Sequence, residues 1–170
     1  MAADDSAAVA ELTVRGWQHA YAGLMPQGYL DAMSAEESAV RRREIFAATL
    51  GRVSNLVAED AAGTVTGWAA VGPYRQGTGA GATAADDDAE LYAVYVRPEL
   101  IGTGTGRALM DAALERARAR GFRRMLLWVV TGNARARRFY ERAGFTADGA
   151  ESTYEVDGTP VPEIRYGRAL

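Results

Sequence analysis

A mixed α/β (α+β) fold, with one mostly antiparallel sheet flanked by helices, is the class this sequence predicts. Three observations carry that expectation. Segments with helical spacing of apolar residues alternate with short β-rich runs. Two pairs of such runs are joined by tight turns and read as hairpins. No internal repeat or interdomain linker interrupts the 170 residues, so residues 1–170 read as one domain of the usual ~100–200 residues.

The first helix is expected over Ala7 to Ala22, where Val9, Leu12, Gly16 or Trp17 and Ala20 fall near one face before Gly23 and Pro26 interrupt. Ser34-Ala-Glu-Glu37 has capping-box spacing, in which the Ser34 hydroxyl and the Glu37 carboxylate each satisfy an orphan N–H, and a helix follows to about Leu50 and Gly51. Arg52 to Glu59 and Thr64 to Val71 form the first predicted hairpin, turning at Gly63. Pro73 to Asp88 is small, polar and aperiodic, and reads as a loop; its Gly77-Thr-Gly-Ala-Gly81 and Asp86-Asp-Asp88 runs read as solvated. Leu91 to Val96 is a strand ended by Arg97-Pro98. A Gly-rich turn leads to a helix from about Thr105 to Arg120, a strand from Met125 to Val130, and a helix from about Ala134 to Ala143. The tail is a strand near Glu151 to Val156, a turn at Asp157-Gly158, and a strand near Glu163 to Arg168.

What the chain lacks narrows its chemistry. All 19 cationic side chains are arginine, cysteine is absent, and His19 is the single histidine. No thiol nucleophile, disulfide or cysteine zinc site is available, and no lysine Schiff base or complete P-loop. No apolar run reaches the ~18–20 residues of a membrane span. Met1 to Ser6 has neither a basic nor an apolar leader segment, so a cytoplasmic location is expected. The net charge of −3 speaks against general nucleic-acid binding but is unevenly distributed. Residues 97–142 hold eleven arginines against four acids, or +7, and the remainder eight against eighteen, or −10. The basic stretch suits one polyanionic ligand; it also suits helix faces that use arginine for solubility.

The chemistry-bearing segment is Val94-Tyr-Val-Arg-Pro-Glu-Leu-Ile-Gly-Thr-Gly-Thr-Gly-Arg107, where a strand runs through Gly102, Gly104 and Gly106 into a helix. Glycines allow a tight turn and close approach, and the free N–H groups of the helix start make an anion site suited to pyrophosphate, with Arg107 adding charge. A dinucleotide fingerprint fails on spacing, because Arg107 stands three positions beyond Gly104.

In that context the segment resembles the GCN5-related N-acetyltransferase (GNAT) family. The family signature of Arg or Gln, two residues, Gly, one residue, then Gly or Ala, after a strand ending in Val-x-Pro, is met by Ile101, Gly104 and Gly106. A second element, an Asn and then Phe-Tyr-Glu-x-x-Gly-Phe, is met by Asn133 and by Phe139 to Phe145. The sequence departs at Ile101, where Arg or Gln is usual, and at its start, where a customary first strand is expected to be truncated or absent.

The resemblance implies a single N-acetyltransferase domain using acetyl-CoA as co-substrate and no metal. Val94, Tyr95 and Val96 would pair their backbone with the pantetheine arm, while Ile101, Gly102, Thr103, Gly104, Thr105, Gly106 and Arg107 hold the pyrophosphate. Tyr140 would be the general acid for the departing thiolate, against a plain packing role beside Phe139. Asn133 would contact cofactor or simply cap its helix. Glu90, at the strand entry, is the candidate base, against a solvated strand-end acid. His19 reads as an exposed helix residue. Without cysteine an acyl-cysteine route is closed, which leaves direct amine attack in a ternary complex, with an N–H near Val94 polarising the thioester carbonyl. Glu90, Glu151, Glu155 and Asp157 suggest a cationic small-molecule amine as acceptor. A protein N-terminus or lysine is the alternative acceptor, and a non-catalytic CoA-binding sensor the alternative function. Expected partners are thus a small-molecule amine, neither nucleic acid nor membrane, with a homodimer left open.

Overall fold

The computed structural model describes residues 1–75, 85 and 87–170; the Gly77–Gly81 run and Asp86 lie outside the described residues. Six strands form one sheet in the order β1-β2-β3-β4-β6-β5. They are β1 (Ser54–Glu59), β2 (Val65–Pro73), β3 (Asp88–Val96), β4 (Arg124–Val130), β5 (Thr146–Val156) and β6 (Thr159–Ala169). Every neighbouring pair is antiparallel except β3 and β4. The helices are α1 (Ser6–Ala20), α2 (Gln27–Asp31), α3 (Ala35–Ala48), α4 (Thr105–Ala119) and α5 (Ala134–Arg142). No helix among the described residues is long and apolar enough to cross a membrane.

The residue pattern explains the layering. On one face Ala69, Ala89, Leu91, Met125, Leu127 and Val129 pack with α4 residues Leu109, Met110, Ala113 and Leu114, and Phe139 and Tyr140 of α5 join them. On the other face Val9 and Leu12 of α1 pack on Val65, Trp68 and Ala70. Covered on both sides, β2 is buried along almost its whole length, as a central strand must be. Gly16 is needed where α1 crosses β3, because a Cβ there would stand 2.8 Å from the Tyr95 ring.

Most expected elements occur, with informative differences at their ends. A short 3₁₀ turn, Ala3–Asp5, leads directly into α1, and no strand precedes it among the described residues. Ser34 caps α3 by accepting from the Glu37 N–H at 3.2 Å. The five-residue α2 was not legible, since Pro26 and Gly28 read as interruption. β3 begins three residues before Leu91, with Asp88 buried and paired to Arg124 at 3.0 and 2.6 Å, which corrects the reading of Asp88 as a solvated loop acid. The last hairpin is longer at both ends than expected. A register break between Ala147 and Glu151 hides the start of β5. Pro160 and Pro162 hide the start of β6; they are tolerated because β4 pairs β6 only from Glu163 onward, leaving that end an edge.

Two irregularities position the site. β3 and β4 pair at only three positions, Asp88 to Glu90 against Arg124 to Leu126, and no pairing follows. β3 also carries a bulge: Ala93 pairs Ala70 while Leu91 pairs Val71, so Tyr92 is the extra residue. The bulge shifts side-chain parity. Ala89 and Leu91 face α4, Tyr92 and Ala93 both face α1, and Val94 faces α4 again.

Candidate active site

A cleft of about 430 Å³ lies in the gap where β3 leaves β4, a size ordinary for a small-molecule site. Leu91 to Val96 form one side, and Asn133, Phe139 and Tyr140 of the α5 region form the other. Its mouth is the turn from Ile101 to Arg107. Gly102 and Gly104 have φ of 90° and 100°, values that a side chain strains, so the turn can close only with glycine there. Thr103 braces it, its Oγ1 donating to the Leu100 carbonyl at 2.8 Å. Beyond Gly104 the N–H groups of Thr105, Gly106 and Arg107 have no acceptor one turn earlier in α4, and the positive end of the helix dipole lies behind them.

Among the described residues the cationic groups lining this cleft are Arg107, Arg135 and Arg142, and no acid lines it. Arg107 is also bound to Asp111 one turn on, its Nε lying 2.9 Å from both carboxylate oxygens, which blunts the charge expected of it. Arg135 Nη1 lies 2.8 Å from His19 Nε2, so exposed His19 links α1 to α5 across the cleft. Ile101 is 43% exposed at the mouth. Free backbone donors, glycine turns and an acid-free lining fit a pyrophosphate-bearing ligand even without the usual Arg or Gln side chain at Ile101.

Tyr140 lines the cleft and contacts Phe139 and Phe145 edge-on, at centroid distances of 5.4 and 6.2 Å. Burial pushes its phenol well above the ordinary value, with Tyr21 adding to the rise. It therefore stays protonated and can donate. Asn133 caps α5, its Oδ1 accepting from the Ala136 N–H at 3.0 Å, and also lines the cleft; the two roles weighed for it coexist.

Glu90 is 1% exposed. Its Oε2 accepts from the Arg75 backbone N–H at 3.0 Å and from Arg75 Nε at 3.1 Å, while Oε1 accepts from Arg75 Nη2. It is therefore no solvated strand-end acid. Its oxygens are held by Arg75.

Glu163 carries no local signal in the sequence. It stands on β6 opposite Val130. Burial raises its pKa above the ordinary carboxylate range; Arg75 opposes the rise and Glu90 adds to it. Its charge also reaches Tyr21 and Tyr154. Only its pairing across the sheet, invisible in sequence, brings its charge within reach of Arg75 and Glu90; it does not line the cleft. Glu151, Glu155 and Asp157 stand exposed along the last hairpin and its turn. Among the described residues no group of three or more His, Cys, Asp or Glu is placed to hold a metal ion.

A second groove, of about 990 Å³, opens on the α1–α3 face of the same strand and shares Tyr92, Ala93 and Tyr95 with the cleft. The bulge is thus approached from both sides, as a transfer between two bound molecules requires.

Comparison with known proteins agrees with this geometry. Residues 16–145 match the acetyltransferase (GNAT) family. The chain is 29% identical over 164 residues to the N-acetyltransferase YuaI of Bacillus subtilis, covering 96% of this chain and 87% of that one. It is 39% identical over 94 residues to the L-methionine sulfoximine/L-methionine sulfone acetyltransferase of Pseudomonas aeruginosa, which is 55% of this chain and about half, 51%, of that protein. The PaiA N-acetyltransferase of Thermoplasma acidophilum, crystallised with coenzyme A, superposes with a TM-score of 0.73 at 19% identity, covering 100% and 96% of the two chains.

Proposed function

The chain belongs to the GNAT family of acetyl-CoA-dependent N-acetyltransferases, and we propose that it moves the acetyl group directly onto the primary amine of a small molecule in a ternary complex. The observation that carries this reading is the separation of β3 from β4 beyond Glu90 and Leu126, with a glycine turn at one end of the gap, Tyr140 on its wall and a second groove behind the bulge.

The turn from Ile101 to Arg107 holds the pyrophosphate on backbone N–H groups. The unpaired edge of Val94, Tyr95 and Val96 takes the pantetheine amides as a neighbouring strand would. An N–H near Val94 hydrogen-bonds the thioester carbonyl as charge builds on its oxygen. The amine nitrogen bonds to the acetyl carbon, the C–S bond breaks, and the proton the nitrogen sheds as it becomes an amide passes through water to the departing thiolate. Tyr140 donates a hydrogen bond to the departing sulfur. A phenol whose pKa is raised stabilises a thiolate in this way without surrendering its proton completely.

The ammonium must first lose a proton. Glu90 is committed to Arg75 through both oxygens, so we assign it to positioning that guanidinium. Glu163 lines neither the cleft nor the groove, but its pKa is raised by burial and by Glu90, and it takes the proton through water. One similar protein acts on L-methionine sulfoximine and L-methionine sulfone by name, which supports a small-molecule acceptor.

The test is a calorimetric titration with acetyl-CoA, followed by detection of released thiol across a panel of amines and peptides. Because the chain contains no cysteine, every thiol detected comes from CoA. Because it contains no lysine, acetyl-lysine cannot arise on its own side chains. Tight binding with no thiol released by any amine would make the protein a sensor. Release with peptides alone would make it a protein acetyltransferase.

A further inference from the structure

The groove behind the bulge has a charge that the sequence average conceals. Arg41, Arg42, Arg52 and Arg75 line it, and among the described residues the only acid lining it is Glu37. Arg75 is bound to Glu90. Arg42 differs from it. Its guanidinium carbon lies 4.1 Å from the centre of the Trp68 ring, and Nη2 donates to Thr13 Oγ1 at 3.1 Å. Its Nε is buried without any hydrogen-bond partner, and no carboxylate pairs with it among the described residues. Burial lowers its pKa, yet an arginine remains charged at any physiological pH.

A half-buried guanidinium on a groove wall, with no carboxylate paired to it among the described residues, is costly unless an anion reaches it from the groove. Two neighbours contact it, Trp68 below and Thr13 beside. Trp17, Met33 and Phe46 add an apolar wall to the same groove. We propose that the acceptor is a small primary amine that also carries a carboxylate, seated on Arg42, with its amine toward the bulge at Ala93. Arg41 and Arg52 draw the anion in from the rim.

This rests on the acetyltransferase reading above and names the substrate class of its acceptor site. It departs from the cationic acceptor that the acid count suggested. Of the acids behind that expectation, Glu90 is neutralised by Arg75, while Glu151, Glu155 and Asp157 do not line the groove.

The experiment compares L-leucine, L-leucinamide and spermidine as acceptors for the wild-type chain and for Arg42→Gln and Arg42→Lys. Losing one charge-assisted contact predicts a ~10- to 100-fold preference of the wild type for leucine over leucinamide in kcat/KM. Arg42→Gln should raise the KM for leucine by a similar factor and erase the preference, with acetyl-CoA affinity unchanged by calorimetry. Arg42→Lys should keep part of it. Equal or better use of leucinamide or spermidine by the wild type, or a preference that survives Arg42→Gln, overturns the proposal. Should no amine be acetylated although acetyl-CoA binds, the transferase reading fails and the anion site is still tested. Leucine but not leucinamide should then change tryptophan fluorescence in the CoA complex, through Trp68 under Arg42, and an equal response to both overturns it.

Discussion

The cleft and the groove meet at β3 but are built from different materials. The cleft is made largely of backbone: glycines with positive φ, the start of α4 and a strand edge without a partner. Its charge comes from helix-end N–H groups and three arginines, with no acid lining it among the described residues. The groove is made of side chains, and its central charge, Arg42, contacts Thr13 from α1 and Trp68 from β2. A backbone site depends little on side chains, so Ile101, where the family usually has Arg or Gln, should leave acetyl-CoA binding intact in calorimetry. A side-chain site changes its ligand with one substitution.

That contrast can be broken first at the turn. Gly104→Glu should abolish acetyl-CoA binding in calorimetry, because φ of 100° rejects a side chain and the new carboxylate repels phosphate. Leucine binding in the groove should persist; losing both would make the two sites one cooperative unit. Next, Tyr140→Phe should lower kcat by ~10²- to 10⁴-fold with cofactor affinity little changed, and unchanged turnover removes Tyr140 from the chemistry. Glu163→Gln should lower kcat/KM by about 10²-fold at neutral pH. In the wild type the acidic limb of the rate profile should lie above the ordinary carboxylate range, since the rate rises only as the raised pKa of Glu163 is passed. A limb that survives in Glu163→Gln assigns the base elsewhere.

Smaller effects concern the frame. Gly16→Ala should destabilise the fold by ~1–3 kcal/mol in denaturant titration, because its Cβ would meet the Tyr95 ring at 2.8 Å. Asp88→Asn should cost about 1–2 kcal/mol through loss of the pair with Arg124. Burial works against the Asp88 carboxylate, but the Arg124 guanidinium and the Ala85 N–H hold its native pKa below the ordinary value. Its stabilisation is therefore complete above the ordinary carboxylate range and is lost as pH falls through the depressed native value. Wild type and Asp88→Asn should converge in stability at low pH.

Legibility followed the same division. The Gly102–Gly106 turn, Asn133 and Tyr140 were readable because each lies within a short contiguous motif whose spacing is set by a strand end or a helix turn. Glu90 was located at the strand entry, but its engagement by Arg75 was not, since the two are fifteen residues apart and meet only when β2 pairs β3. Glu163 carried no local signal at all. The β3 bulge was likewise unreadable, because Leu91 to Val96 is apolar throughout and shows no break in alternation.

The sequence by itself determined the order of elements, the glycine turn at the start of α4, and a chemistry without thiol or lysine nucleophiles. These follow from local backbone preference and from which residue types exist in the chain. Only the tertiary structure decided the sign of the groove behind the bulge. Counted along the chain, residues outside 97–142 sum to −10, yet folding gathers Arg41, Arg42, Arg52 and Arg75 onto one groove and leaves Glu151, Glu155 and Asp157 outside it. Charge acts through distance in space, and distance across a sheet is set by strand pairing rather than by position in the chain.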